Sequence, residues 1–401
     1  MAEPKRSQGV IRFEIPDDAL PDDHRARLLW RVLHTLDLSA FSAQAKAVEG
    51  RAGREVLSSA MLLTLWLYAL SSGIGSAREV ARRTLSDDAF RWIVGDQKVS
   101  HTTLSAFRVE HGEALQKLMT DVLGALLHKG LLTLDRVAQD GTRVRASASA
   151  PSFRREASLL DCREQAALHV KGVFAEADQD TSPAEKLARI AGALDYQQRV
   201  EAAISTVQTL FNDGKKKPRA STTDAEARVM KMPDGGFRPG YNIQLATAGS
   251  ELGGPRTVVG LLVTNTGSDM GSITPMLEDI KARTGQLPSK LLADANHAKH
   301  ACIDAATRAG VEVLMAIPKR EECATTPVSP EVEAWRKRMK TDEAKRVYRA
   351  RAGLCELSNA HLKCHHGTAS VLVRGLPKVT CVALLATIAA NILAHATAWL
   401  A

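Results

Sequence analysis

Apolar residues recur at helical spacing through the first third of the chain, and strand-like alternation enters only after it. Residues 1–42 hold the turn-rich P-D-D-A-L-P-D-D-H and then L-L-W-R-V-L-H-T-L-D-L, a short amphipathic helix. From about Ala43 to Gly130 the pattern stays helical. An apolar run at 56–70 ends near Gly73 and Gly75. The stretches S-A-R-E-V-A-R-R-T-L, D-D-A-F-R-W-I-V and S-H-T-T-L-S-A-F-R-V-E-H-G-E-A-L-Q-K-L-M follow as further helices. Ser100 and Thr102 are the expected caps of the last one, because a hydroxyl can accept from the first free backbone N–H groups.

Arg136 to Ser149 alternates with a period of two and predicts a half-buried strand. Phe153 to Lys217 is charged and helix-prone, and Ser182-Pro183-Ala184-Glu185 predicts a helix start by reciprocal capping with proline in the first position. Strand patterns then recur at 241–246, 256–265, 290–293 and 311–317, with helical stretches at 272–284 and 300–310 between them. Residues 342–362 read as a long helix. Strands and helices alternating in this way predict an α/β sheet under helical cover.

Composition changes the picture in one direction. Lys plus Arg number 53 against 45 Asp plus Glu, a formal charge of +8 that suits a polyanionic partner such as nucleic acid. At 401 residues and 45% hydrophobic content the chain can bury a large core spread over two or three units. The six cysteines form no C-x-x-C pair, so neither a disulfide framework nor a zinc ribbon is indicated, and the first residues lack the apolar core of a signal peptide. A reducing cytoplasm is expected. Two uncharged runs, Val56 to Ala77 and Thr380 to Ala401, reach membrane-spanning length, yet both are read as helices buried inside protein because hydroxyls, amides and many alanines interrupt them.

Two carboxylates stand in informative places. Asp140 lies in the middle of its strand pattern beside Gly141. An oxygen ligand there could hold a hard cation, but D-G also marks a hairpin turn, which is the simpler reading of that stretch alone. Asp294 directly follows the apolar K-L-L-A, at the kind of strand end where α/β sheets present their ligands. On the long helix, Glu356 and Lys363 share a face, and Arg351 lies about 140° away from it.

Other features stay open. Arg78, Arg82, Arg83, Arg91 and Arg108 fit either a helix-turn-helix-like DNA reader or an ordinary helical unit with solvated arginines. K-K-K-P-R at 215–219 is a solvated loop or a phosphate contact. His297, His300 and Cys302, and His361, Cys364, His365 and His366, lack paired zinc-ligand spacing and are read as surface or core side chains.

Taken together, D-G-T-R-V-R-A-S-A-S, S-T-T-D-A-E-A-R-V-M-K with G-Y-N-I-Q, L-L-A-D-A-N, and Y-R-A-R-A-G-L-C-E with Lys363 resemble the DDE transposases of bacterial insertion sequences. S-G-I-G-S-A-R-E-V-A-R-R and A-F-R-W-I-V-G resemble the N-terminal domain of one branch, so the likeness runs in order from about residue 25 to the last residue. Four residues separate Arg351 from Glu356, where the usual Y-R-E-K motif has three.

The resemblance implies an RNase H-like mixed sheet flanked by helices, with an all-helical DNA-binding domain over 1–134. The catalytic domain would span 135–401 and carry a helical insertion at about 154–217, after the first core strand. By the same resemblance Asp140, Asp294 and Glu356 are the catalytic and metal-binding residues, using two magnesium ions for which manganese can substitute. Tyr348, Arg351, Lys363, Arg143, Arg82 and Arg83 are the expected DNA contacts. The implied partners are the element's terminal inverted repeats and target DNA, bound by a homodimer in the cytoplasm at the nucleoid, with no membrane. The implied activity is DNA cleavage and strand transfer; the alternative is an inactive or repurposed transposase-derived DNA-binding protein.

Overall fold

The computed structural model describes residues 15–42, 57–95, 97–175, 182–249, 253–318 and 327–401. Residues 43–56 of the expected helical span lie outside them. The N-terminal third folds as α1 (Arg25–Leu33), α2 (Ser39–Ser42), α3 (Ser59–Ser71), α4 (Ala77–Arg83), α5 (Asp88–Val94), α6 (His101–Glu110) and α7 (Gly112–His128). Local capping sets several starts: Ser58 accepts from the Met61 N–H, Ser76 from Glu79, Asp87 from Ala89 and Phe90, and Ser100 from Thr103. Thr102, the other expected cap, sits inside the first turn of α6.

Strand β1 (Arg136–Arg145) runs unbroken through Asp140 and Gly141, so no D-G turn forms. Its two neighbours hold it extended: it pairs antiparallel with β5 (Phe237–Ala248) and parallel with β7 (Lys290–Ala293). Between β1 and β5 lie β2 (Phe153–Arg154), α8 (Glu156–Ala175), α9 (Pro183–Asn212), β3 (Ala220–Ser221) and β4 (Arg228–Lys231). The helical segment thus enters after the first core strand, as expected. Ser182 and Glu185 form the capping box at the start of α9, with Pro183 in the first turn.

One edge of β5 pairs with β4 and β6 (Thr257–Thr264), and β7 pairs in parallel with β8 (Glu312–Met315) on the far side. The sheet therefore mixes antiparallel and parallel pairs in the order β6-β5-β1-β7-β8, the RNase H-like arrangement. Helices α10 (Ile273–Thr284), α11 (His300–Arg308), α12 (Pro330–Arg338), α13 (Asp342–His365) and α14 (Leu376–Leu400) complete the chain.

The S-T-T-D-A-E-A-R segment has a structural task. The buried Tyr241 hydroxyl donates to the Asp224 carboxylate at 2.8 Å, and Glu226 accepts from the Leu376 N–H at 2.8 Å. Together they fix the start of α14 to the sheet.

Helix α14 is the one described helix long and apolar enough to cross a membrane, but 78% of its most apolar window is buried inside the protein. It packs against α1, α3, α6, α7 and β6. The Asn391 side chain accepts from the Val258 N–H at 2.9 Å and donates to the Val258 carbonyl at 2.8 Å, so it covers an edge of β6. Residues on both sides of position 134 consequently share one continuous hydrophobic core.

Buried histidines make this fold acid-sensitive. His366 is 1% exposed, and burial, then the neighbouring His361, His365 and Arg25, push its pKa from 6.5 down to about 3. Because the folded value is depressed, the unfolded chain takes up the proton first; the contribution is whole above pH 6.5 and is lost as pH falls toward 3. Urea midpoints are expected to fall steadily from pH 7 to pH 4, and His366→Asn to flatten that decline; a decline of equal steepness in the variant would remove His366 as its cause.

Candidate active site

Parallel register brings the two aspartates together. Gln139 on β1 stands opposite Ala293 on β7, so the next residues, Asp140 and Asp294, lie side by side where β7 ends. Asp294 caps the short 3-10 turn Ala295–His297 and accepts from the Asn296 backbone N–H at 2.9 Å and from its side-chain amide at 3.0 Å. Burial alone would raise the Asp294 pKa, but the hydrogen bond and charge of His297, together with Asn296, outweigh it and hold the carboxyl below its usual range. Asp140 goes the other way: burial, then the Asp294 charge beside it, pushes it up. Two neighbouring carboxylates are thus held at different proton affinities.

Helix α13 presents a face to Asp140. Asn359 donates its amide to Asp140 Oδ2 at 3.3 Å, and Arg351 Nη1 stands 3.9 Å from the same oxygen. The other guanidinium nitrogen of Arg351 is 3.8 Å from Glu356 Oε1. The separation of about 140° around the helix does not keep Arg351 from Glu356, because its long side chain reaches back across the face. Tyr348 lies under Arg351, with the guanidinium carbon 5.9 Å from the ring centre. Lys363 is half-buried near Asp140; burial, then Arg143, lowers its pKa. Glu356 itself is 64% exposed.

The opposite face of β1 carries a polar network. Gly141 pairs with Gln244 and Arg143 with Asn242, so these residues share one side of the sheet. Gln244 donates to Asp269 Oδ1 at 2.5 Å, Asn242 donates to the same oxygen at 2.7 Å, and Arg143 lies 3.6 Å from Asp269 Oδ2. With its amide nitrogen committed to Asp269, Gln244 turns its oxygen toward Gln139 and toward His297 Nε2 at 3.2 Å. His297, wholly buried, donates from Nδ1 to Asp294 Oδ1 at 2.7 Å. A chain of contacts therefore runs from Asp269 through Gln244 and His297 to Asp294.

Partners of this kind behind a working ligand typically contribute about 10–100-fold. On the DDE resemblance, which makes Asp294 a cation ligand for DNA cleavage, His297→Ala is expected to slow that cleavage by about that factor with little loss of DNA binding. A variant cutting at the normal rate would show that Asp294 needs no such support.

The N-terminal arginines are less available. Arg82 and Arg83 both bond to Glu79, at 2.7 and 2.9 Å, and Arg83 also pairs with Asp87 at 3.3 Å. Arg91 pairs with Asp88 at 3.4 Å. Arg108 is 5% exposed, donates to the Gly75 carbonyl and stacks over Trp66 at 4.7 Å, so it belongs to the core. Asn359, Gln139, Gln244 and Asp269 escaped sequence reasoning, which read His297 only as a surface or core side chain. The alternation of Y-N-I-Q was the available signal, since it puts two amides on one face of a buried strand.

A divalent cation suits the carboxylates on their own chemistry. They are hard oxygen donors, two lie beside each other with Asp140 pushed up by burial and then by the charge of Asp294, and the Arg351 guanidinium already bridges Asp140 and Glu356 as a cation would. Among the described residues no three or more His, Cys, Asp or Glu side chains are grouped closely enough to hold a metal ion together, so Glu356 does not join Asp140 and Asp294 in one ligand cluster, and neither histidine–cysteine set forms one.

The family profile described as Transposase domain (DUF772) matches residues 14–110, and that described as Transposase DDE domain matches residues 299–394. The second span contains Tyr348, Arg351, Glu356 and Lys363, whereas Asp140 and Asp294 lie outside both. No curated protein and no solved structure matches the chain significantly.

Proposed function

Since this chain belongs to the DDE transposases of insertion sequences, we propose that it binds the ends of its own element and catalyses cleavage and strand transfer with Asp140, Asp294 and Glu356. The single observation supporting this most is that Asp140 and Asp294 each directly follow the last registered pair of β1 and β7, Gln139 with Ala293, while Arg351 reaches from Asp140 to Glu356. Divalent cations, two magnesium or manganese ions held by these carboxylates, would supply charge neutralisation at the phosphate and activation of the attacking oxygen.

The chain's own residues do the rest. Asn359 and Arg351 orient Asp140, His297 and Asn296 orient Asp294, and Arg351, Tyr348, Lys363 and Arg143 hold DNA phosphates around the site. The helical unit up to residue 134, with Arg82 and Arg83, contributes to end binding on a homodimer working at the nucleoid. Its arginines are free for this only where DNA displaces their carboxylate partners, so such binding should fall with salt.

The test is cleavage of a labelled duplex carrying the inverted repeats that flank the gene, with magnesium or manganese. Specific binding without any cut by the unaltered protein would favour an inactive DNA-binding descendant instead.

A further inference from the structure

We propose that the cleft between α13 and α14 binds a backbone phosphate of the DNA, on the reverse side of α13 from the carboxylates. The cleft has a volume of about 450 Å³. Arg25, Arg256, Ser358, His361, His365 and His366 line it, and there is no carboxylate among its described lining residues.

The basic groups there have no carboxylate partner among the described lining residues. Arg25 is steadied by the Ser71 carbonyl at 2.9 Å. His361 and His365 stand 5.0 Å apart, ring centre to ring centre, and His361 is 4.9 Å from His366. Every charged neighbour acting on His366 is basic, which drives its pKa down together with burial. Asn391, the amide in the lining, is committed to the Val258 backbone. Arg25 and Arg256 are the standing positive charges of this lining, the rings can donate hydrogen bonds beside them, and an anion is the partner that such a lining favours. A metal ion is the poorer occupant, because these rings are not grouped to share one among the described residues.

DNA is the anion source that the rest of the molecule favours, an inference that rests on the transposase reading above. Helix α13 is about 10 Å across, so a phosphate behind it lies a few nucleotides from one at Asp140 and Asp294. Arg25, Arg256, His361 and His365 are exposed and can meet a strand passing over that end of the helix.

The test uses the full chain, with calcium in place of magnesium so that cleavage plays no part. Binding of a labelled duplex of about 25 base pairs of arbitrary sequence is measured against salt for the wild type, Arg256→Gln and His361→Ser/His365→Ser. These side chains are exposed, so unchanged melting is expected. Each lost phosphate contact should lower the log–log salt slope by about 0.9. In a second arm, inorganic phosphate is titrated while the imidazole NMR signals of His361 and His365 are followed in the wild type.

Ring shifts with phosphate together with a shallower slope in the variants support the proposal. Ring shifts with an unchanged slope would make this a free-anion site and overturn the DNA assignment. No shift and no slope change would overturn the site altogether. Because binding alone is read, these results stand apart from whether the carboxylates cut DNA.

Discussion

Asp140→Ala, Asp294→Ala and Glu356→Ala are each expected to abolish strand cleavage while leaving binding to the element's ends intact. Each carboxylate would hold cations rather than DNA, and removing one also removes a negative charge near phosphate, so affinity stays level or rises slightly. Losing an oxygen ligand costs several kcal/mol of transition-state stabilisation, enough to take cleavage below detection. The three should differ in stability. Asp140 is pushed up by burial and by Asp294, so its removal relieves repulsion and leaves the melting temperature level or higher. Asp294→Ala strips the acceptor from the buried His297 Nδ1, a loss of about 1–3 kcal/mol. Glu356 is 64% exposed, and its removal should barely move the melt. End-duplex cleavage with magnesium or manganese, gel shifts in calcium and thermal melts separate these effects. Near-normal cutting by any one variant takes that residue out of the active site.

Gly141→Ala should be nearly as damaging, although it changes no ligand. A Cβ there would overlap Gln244 Nε2 and Asp269 Oδ1 and press on Asn242 Oδ1 at 2.9 Å. These are partners in one buried network, so none can move without breaking a hydrogen bond to another. Overpacking together with a lost buried bond costs roughly 2–4 kcal/mol. The displacement passes along Gln244 and His297 to Asp294, where a shift of about 1 Å reduces the rate about 100-fold. The expected result is a lower melt and a cleavage rate down by two orders of magnitude with DNA affinity retained. A variant with normal melting and normal cutting would mean the network yields freely and does not hold Asp294.

Asp140 and Gly141 also show how far residue patterns carry. Read alone, D-G fits a two-residue turn, and only the pairing of β1 with both β5 and β7 makes it continuous strand. Arg351 and Glu356 look mismatched by helix angle, yet the guanidinium spans the gap because a long side chain is not confined to the direction of its Cβ. Beyond the alternation of Y-N-I-Q, the Asp269-to-Asp294 chain had no local signal, since its members come from separate elements and meet only once the sheet forms.

By itself the sequence determined the helix starts, the alternation of strands and helices, and the places of Asp294 and Glu356 on their elements. Those follow from period, capping and strand ends, which are properties of neighbouring residues. Tertiary structure alone decided that β1 and β7 align to put two aspartates side by side, that Arg108 is core rather than surface, and that α14 is buried among α1, α3, α6 and α7. An apolar helix of 25 residues looks the same to a membrane or to a protein interior. What separates the two is where Asn391 and His395 find partners, and these are backbone and hydroxyl groups at Val258 and Thr257, more than a hundred residues earlier in the chain.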